Sequence, residues 1–365
     1  MKDSASGNEN AWAAHAVRLL VADARPTPLA TLPVPVGADR RVRIRVKDES
    51  AQPTGSIKHR LVRALLVAAV RRGELRRGGT VVVATGGAVA VAGAYFARVI
   101  GVGFVALMPR RTPCSLRERV QAYGGRVLDA TAPPAGVQDE ARQLARTVDG
   151  FFLDHFTPGA AATLADCPAP TLADELLPRT RPPAWVVVGA ATGVTSALIG
   201  RRILDDALPT RLAVVDSEHS AYFPAWVSDV DDFMTGLPSH IPGLGRPRTE
   251  PEFRPDVIDL VIPVPDAASI AGMQWLNAHA GLAVGPAAGA GLWGACHLAT
   301  RLRESGGRGT VVMVAGDGLA AYRGTYDDGE WLAGRGLDPE PHLSVLERYY
   351  EGGAWEWPRR SARAG

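Results

Sequence analysis

From about residue 41 onward the chain alternates short apolar, β-branched runs with longer stretches whose apolar residues recur at helical spacing. Strands read at Arg41–Val46, Thr80–Val83, Val102–Met108, Arg126–Leu128, Ala184–Val188, Leu212–Val215, Val257–Val264 and Gly309–Ala315. Helices read between them, at Ile57–Arg72, Ala88–Ile100, Gln138–Thr147, Thr195–Leu204, Asp266–His279 and about Ala290–Arg303. A further helix is expected to start at the capping pair Ser115 and Glu118 and to run to about Ala122. Such alternation is the pattern of an α/β fold with open, largely parallel sheets and helices on both faces. In these sheets ligands sit in loops that leave a strand and enter a helix.

With 365 residues the chain has room for two domains. It carries 40 basic and 38 acidic residues, and the basic ones are spread along the chain. That excludes a dedicated nucleic-acid or membrane surface as a working expectation. No run reaches the ~18 apolar residues of a membrane span, and the first ten residues are too polar for a signal-peptide core. Three cysteines (Cys114, Cys167, Cys296) lie far apart, which fits a reducing cytoplasm and gives no metal-ligand spacing, so no metal is expected. The last residues, from Pro358, are small or arginine and are expected to fray. Only three of the basic residues are lysine (Lys2, Lys47, Lys58), so each retained lysine asks what arginine would not do in its place.

Three loops are placed for chemistry. Pro53-Thr54-Gly55-Ser56-Ile57-Lys58-His59-Arg60 sets a lysine at a helix start, where the helix dipole disfavours an ammonium and favours a neutral, nucleophilic amine. A plain surface lysine is the alternative. Ala84-Thr85-Gly86-Gly87-Ala88 joins a buried strand to a helix and presents backbone N–H groups to an anion, or simply allows close packing. Gly189-Ala190-Ala191-Thr192-Gly193-Val194-Thr195 adds two hydroxyls to the same geometry and can cradle a phosphate, but it lacks the lysine and spacing of a nucleotide-hydrolysing loop.

One lysine and two anion-binding turns on an α/β frame suggest pyridoxal 5'-phosphate (PLP), and the order of motifs resembles the fold-type II PLP enzymes, the cysteine synthase and cystathionine β-synthase family. The resemblance spans about Pro26 to Tyr326. It rests on Lys47-Asp48-Glu49-Ser50 with the Lys58 loop, Met108-Pro109, Gly124-Gly125, Thr192-Gly193, Gly243-Leu244-Gly245-Arg246-Pro247 and Gly285-Pro286-Ala287-Ala288-Gly289. Asp154-His155-Phe156, the stretch from Val215-Asp216 to Ala225, and Pro265–Ala271 are similar to a cysteine desulfhydrase-like branch. The resemblance implies a tryptophan synthase β-like fold. A smaller domain would cover residues 51–160 and a larger one residues 1–50 plus 161–350, with 351–365 a flexible tail. It also implies a cytoplasmic homodimer acting on a small amino-acid-like substrate.

By the same resemblance Lys58 is the Schiff-base lysine and the base for the substrate α-proton. The cofactor positions are then Ala88, Gly189, Ala191, Thr192, Gly193, Val194, Thr195 and Ala287, with the phosphate on Thr192, Gly193 and Thr195. The substrate positions are Thr85, Gly86, Gly87, Ala88, Val89, Gly245 and Arg246. The reaction implied is β-elimination or β-replacement on a cysteine- or serine-type amino acid, a carbon–sulfur lyase being the first expectation.

Several family positions have lost their polar side chains. The usual Thr-Ser-Gly-Asn-Thr-Gly is Thr85-Gly86-Gly87-Ala88-Val89-Ala90, and the usual Gly-Thr-Gly-Gly-Thr carries Ala191 and Val194. The serine that faces the pyridine nitrogen aligns with Ala287. Val194 is expected to resist a positive φ and to crowd a phosphate. These changes keep two other readings open, a fold-type II scaffold with weakened or lost PLP binding repurposed in a specialised pathway, and a non-catalytic partner subunit. Among lone candidates, His59 is a proton shuttle or a loop residue, and His155 lines a cleft or packs. Arg246 or Arg248 can clamp a carboxylate. Cys114, at a helix start, is a nucleophile or incidental. Tyr222 and Phe223 wall a pocket or belong to the core.

Overall fold

A computed structural model describes residues 2–133, 136–237 and 240–357, with side chains from residue 7 onward. Ten strands lie among them: β1 (Leu29–Thr31), β2 (Val42–Asp48), β3 (Thr80–Ala84), β4 (Gly103–Met108), β5 (Arg126–Asp129), β6 (Phe151–Phe152), β7 (Trp185–Gly189), β8 (Arg211–Ser217), β9 (Leu260–Val264) and β10 (Gly309–Ala315). The chain divides into two compact units, Met1–Pro26 with Gln52–Thr171, and Thr27–Ala51 with Leu172–Gly365.

The first unit holds a four-stranded parallel sheet in the order β5-β4-β3-β6. Val81, Val82 and Val83 on its β3 strand are fully buried, as their unbroken apolar run requires. The N-terminal helix Lys2–Ala22 belongs to this unit and not, as expected, to the larger one. Its polar first half hides the contact, because it is held by Ala16 and Leu20 in the core and by Asp23 just beyond its end.

The second unit holds a six-stranded sheet in the order β1-β2-β10-β7-β8-β9, parallel except for the β1–β2 pair. Its core is built on Val187, Ala213, Val215, Val311 and Met313 of the sheet and on the helices Asp266–His279 and Pro286–Glu304. The strand expected at Val257–Val264 starts only at Leu260, because Pro255–Val257 forms a 3-10 turn and the Asp259 carboxylate accepts the Leu212 N–H at 2.8 Å. The helix expected from Ala290 starts four residues earlier, with Pro286 at its first position, where its missing N–H costs nothing. The helix read from Ser115 starts at Cys114 behind Pro113, and no side chain caps it. Residues 351–357, expected to be flexible, pack in part: Trp355 lies 5.3 Å from the Trp293 ring and 4.9 Å from Tyr349. Residues 358–365 lie outside the described residues.

Each sheet reverses its winding once. In the first unit β3, β4 and β5 run outward on one side and β6 returns to the other flank of β3. In the second unit β7, β8 and β9 run outward and β10 returns to the other flank of β7. The loops after β3 and β7, residues 85–88 and 190–193, therefore stand at the switch points where open α/β sheets bind ligands.

Candidate active site

Lys58 is the first residue of the helix Lys58–Arg71 and is half-buried. Its N–H donates to Ser56 Oγ at 3.1 Å. The residues after it anchor the helix start. His59 is fully buried, with Nε2 2.6 Å from Asp23 Oδ2, Nδ1 3.2 Å from Thr54 Oγ1, and its ring 4.4 Å from Phe96. Arg60 is also buried and donates to the Pro170 carbonyl at 3.2 Å. His59 is thus neither a loop residue nor a shuttle in contact with solvent. Burial pushes its imidazole below the ordinary range, so it stays neutral and structural.

After β3, the Thr85 hydroxyl accepts the Gly87 N–H at 3.2 Å, and the helix Ala88–Ile100 begins at once. A Cβ on Gly86 would stand 2.5 Å from Thr112 Oγ1. Thr112 occupies the space a serine at 86 would need, which gives the Gly86 substitution a local reason. Ala88 is half-buried, whereas Val89 is buried in the protein.

After β7, Gly193 adopts φ +81° and precedes the helix Val194–Asp205. A Cβ there would lie 2.4 Å from the Glu252–Phe253 backbone, so only glycine fits both the dihedral and the space. The loop carbonyls are turned into the protein. Ala190 O accepts from Gly245 N–H at 2.7 Å, Ala191 O from Tyr222 Oη, and Gly193 O from Ala197 N–H at 2.9 Å and Ser196 Oγ at 2.8 Å. The first N–H groups of the helix have no intrahelical acceptors, which is the geometry that suits an anion. Val194 is the correction here: it is helical, has no positive φ, and is 2% exposed. The strain expected of it falls on Gly193 instead.

The model of the pyridoxal-phosphate dependent enzyme family matches residues 21–317. The chain belongs to this family. It is 39% identical to an L-cysteine desulfhydrase of Mycobacterium tuberculosis, over 94% of this chain and 96% of that protein. It is 27% identical to a putative cysteine synthase of Sinorhizobium fredii, over 86% of this chain and 91% of the other. The crystal structure of an O-ureido-L-serine synthase superposes with a TM-score of 0.74 at 25% identity, covering 86% of this chain and 98% of that one. The fold is therefore PLP fold type II and the chain is a PLP-dependent enzyme.

The residues present fit that cofactor. The glycine-only cradle at Gly193 suits a phosphate, and a second observation suits the ring: Asp317 Oδ1 is a buried oxygen with no hydrogen-bond partner. Its other oxygen accepts Tyr322 Oη at 3.1 Å, and its carbonyl accepts Gly285 N–H at 2.8 Å, beside the helix start that carries Ala287.

Gly245 and Arg246 lie in the second unit. Arg246 Nε donates to Glu250 Oε1 at 2.8 Å, and Arg248 Nε stands 3.7 Å from the same oxygen. The Arg246 guanidinium is thus already paired with a buried carboxylate. Tyr222 is fully buried and stacked 4.0 Å from Phe253, so it supports the loop after β7 and is not a pocket wall. His155 is buried against Phe156 at 4.2 Å, and Cys114 is exposed. Lys47 is structural, paired with Glu175 and donating to the Thr27 carbonyl at 2.6 Å.

Sequence reading named Asp216, next to last in β8, only within a matching stretch and missed its burial. It is fully buried, accepts Ser217 and Phe223 N–H groups at 3.0 Å each, and burial raises its carboxyl to about 7. An acidic residue that ends an apolar strand run was the available signal. Also missed was a cluster of His219, His240 and Asp266, whose members are too far apart in sequence to read as a motif. No helix among the described residues is long and apolar enough to cross a membrane.

Proposed function

We propose that this enzyme catalyses β-elimination on cysteine or a close analogue, converting cysteine and water to pyruvate, ammonia and hydrogen sulfide. The observation that carries the reading is the 39% identity to an L-cysteine desulfhydrase across 94% of the chain. PLP, when bound, supplies an electron sink for the pair left at the substrate α-carbon.

The residues then divide the work. Lys58 carries the cofactor and moves the proton at the α-carbon, from a helix start fixed by His59 and Arg60. Thr192, Gly193 and Thr195, with the first N–H groups of their helix, hold the phosphate. Thr85, Gly86 and Gly87, with the N–H groups of Ala88 and Val89, receive the substrate carboxylate at the second helix start. Asp317 offers the ring nitrogen the acceptor that Ala287 lacks. β-Replacement on a serine-type substrate is the second reading, favoured by the similarity to a putative cysteine synthase and to an O-ureido-L-serine synthase. The resemblance also favours a homodimer, to be checked by sedimentation at twice the 38.5 kDa chain mass. The free cysteines fit a reducing cytoplasm.

The test supplies cysteine to purified protein with PLP and measures sulfide and pyruvate. Equal yields, together with a visible cofactor band that Lys58→Ala removes along with turnover, support elimination. Sulfide without pyruvate, appearing only with a second nucleophile, supports replacement. Unimpaired turnover by Lys58→Ala would sink the mechanism.

A further inference from the structure

The second unit brings three potential metal ligands together beside Gly245, whose Cβ position is 3.1 Å from Ser217 Cβ. His219 follows the end of β8, His240 opens the segment leading to Ile241–Arg246, and Asp266 is the first residue of the helix Asp266–His279. One donor atom from each lies within 4.8 Å of the other two. His240 Nδ1 is 3.0 Å from Asp266 Oδ2, and the two imidazole rings stand 5.7 Å apart and nearly perpendicular. Asp266 is buried, and its Oδ1 accepts Ser217 Oγ at 3.1 Å, which fixes the carboxylate. A second carboxylate adjoins it, since Glu218 Oε1 accepts the Asp266 N–H at 3.4 Å.

We propose that His219, His240 and Asp266 bind a divalent transition-metal ion, zinc in the first place. Two imidazoles and one carboxylate are the nitrogen–oxygen donor set that zinc takes, with a fourth position left to water or Glu218. Ligand bonds of ~2.1 Å around a tetrahedral ion place donors about 3.4 Å apart. The His240–Asp266 pair at 3.0 Å already meets that spacing, and the longer separations, at most 4.8 Å, ask for up to about 1.4 Å of movement, for which the 59% exposed His240 and the half-buried His219 are the groups in reach. The ion neutralises the buried Asp266 carboxylate, and Ser217 supplies the outer hydrogen bond that orients it. Bound there, zinc ties the segment entering Ile241–Arg246 to the end of β8. The alternative is a plain His240–Asp266 hydrogen bond at a helix start, where a carboxylate is favourable without any ion.

The test uses the full chain with its cofactor, treated with chelator and then dialysed against Zn2+, with metal content and melting temperature as readouts. One zinc per chain is expected, with a raised melting temperature. His219→Ala and His240→Ala should each weaken zinc binding by more than the ~10–100-fold typical of losing an outer partner. His240→Ala also removes a hydrogen bond to Asp266, so the melting temperature is read as the rise that zinc adds to each variant, which both variants should lose. His279→Ala removes an exposed histidine outside the cluster and should leave binding intact. No stoichiometric zinc on the unsubstituted protein overturns the proposal. So does zinc that both cluster variants retain, which would place it on a thiol or on the cofactor phosphate.

Discussion

Gly193 combines two constraints that one methyl group would violate together. Its φ of +81° lies in the left-handed region, which costs a non-glycine residue roughly 1–2 kcal/mol. Its absent Cβ leaves room for the Glu252–Phe253 backbone, which cannot swing aside as a side chain would. Gly37 has a comparable φ of +72° with nothing within 4 Å of its Cβ position, so Gly37→Ala isolates the conformational cost. Gly193→Ala is expected to lower stability by more than Gly37→Ala in denaturant unfolding. It is also expected to weaken PLP at least about tenfold in an absorbance titration, because the helix start proposed to hold the phosphate must shift. Equal stability losses and unchanged cofactor affinity would show that the loop tolerates displacement.

At the scale of elements, β8 ends on a buried acid whose protonation is coupled to folding. Burial raises Asp216 to about 7, while an unfolded aspartate titrates near 3.9. Between those values the unfolded chain has released this proton and the native chain keeps it. The Asp216 contribution is therefore fully present below about pH 4 and is lost as pH rises through about 7, by up to ~1.4 kcal/mol per pH unit. Unfolding free energies measured from pH 4 to 8 should show this decline in the unsubstituted protein, and the difference from Asp216→Asn isolates it. Parallel pH profiles would mean that Asp216 ionises normally in the folded protein. The elements themselves divide by how strongly their own residues dictate them. The valine runs of β3, β7 and β10 and the helix from Lys58 were legible because burial and local pattern agree. The helix Lys2–Ala22 was not, because its polar first half masks it, it has little apolar periodicity, and its place depends on distant partners, as in the Asp23–His59 contact. The loops at the two switch points were legible as anion-binding turns. The location of the positive φ at Gly193, not Val194, was not, since a dihedral one residue away depends on the Glu252–Phe253 packing.

For the whole molecule, cofactor affinity and stability are one measurement, because a ligand that binds only the native state raises stability by about 2.7 kcal/mol at a hundred times its Kd. The cradle at Gly193 and the lysine at 58 are intact, whereas Ala88 and Ala287 each lack a polar group that the resembled family supplies. A missing hydrogen bond is worth about 0.5–1.5 kcal/mol, so the two together weaken PLP by roughly five- to 150-fold against a fully equipped site. The melting temperature is accordingly expected to begin rising only at a higher PLP concentration than a fully equipped site would need. Ala88→Asn and Ala287→Ser should each move that rise to lower PLP concentration, by about two- to tenfold. The Ala287→Ser gain is expected to be the smaller, because Asp317 Oδ1 is a buried acceptor already available on the neighbouring segment. Asp317→Ala should restore the full benefit of Ala287→Ser. If that serine gains the same whether or not Asp317 is present, the carboxylate has no part in holding the ring.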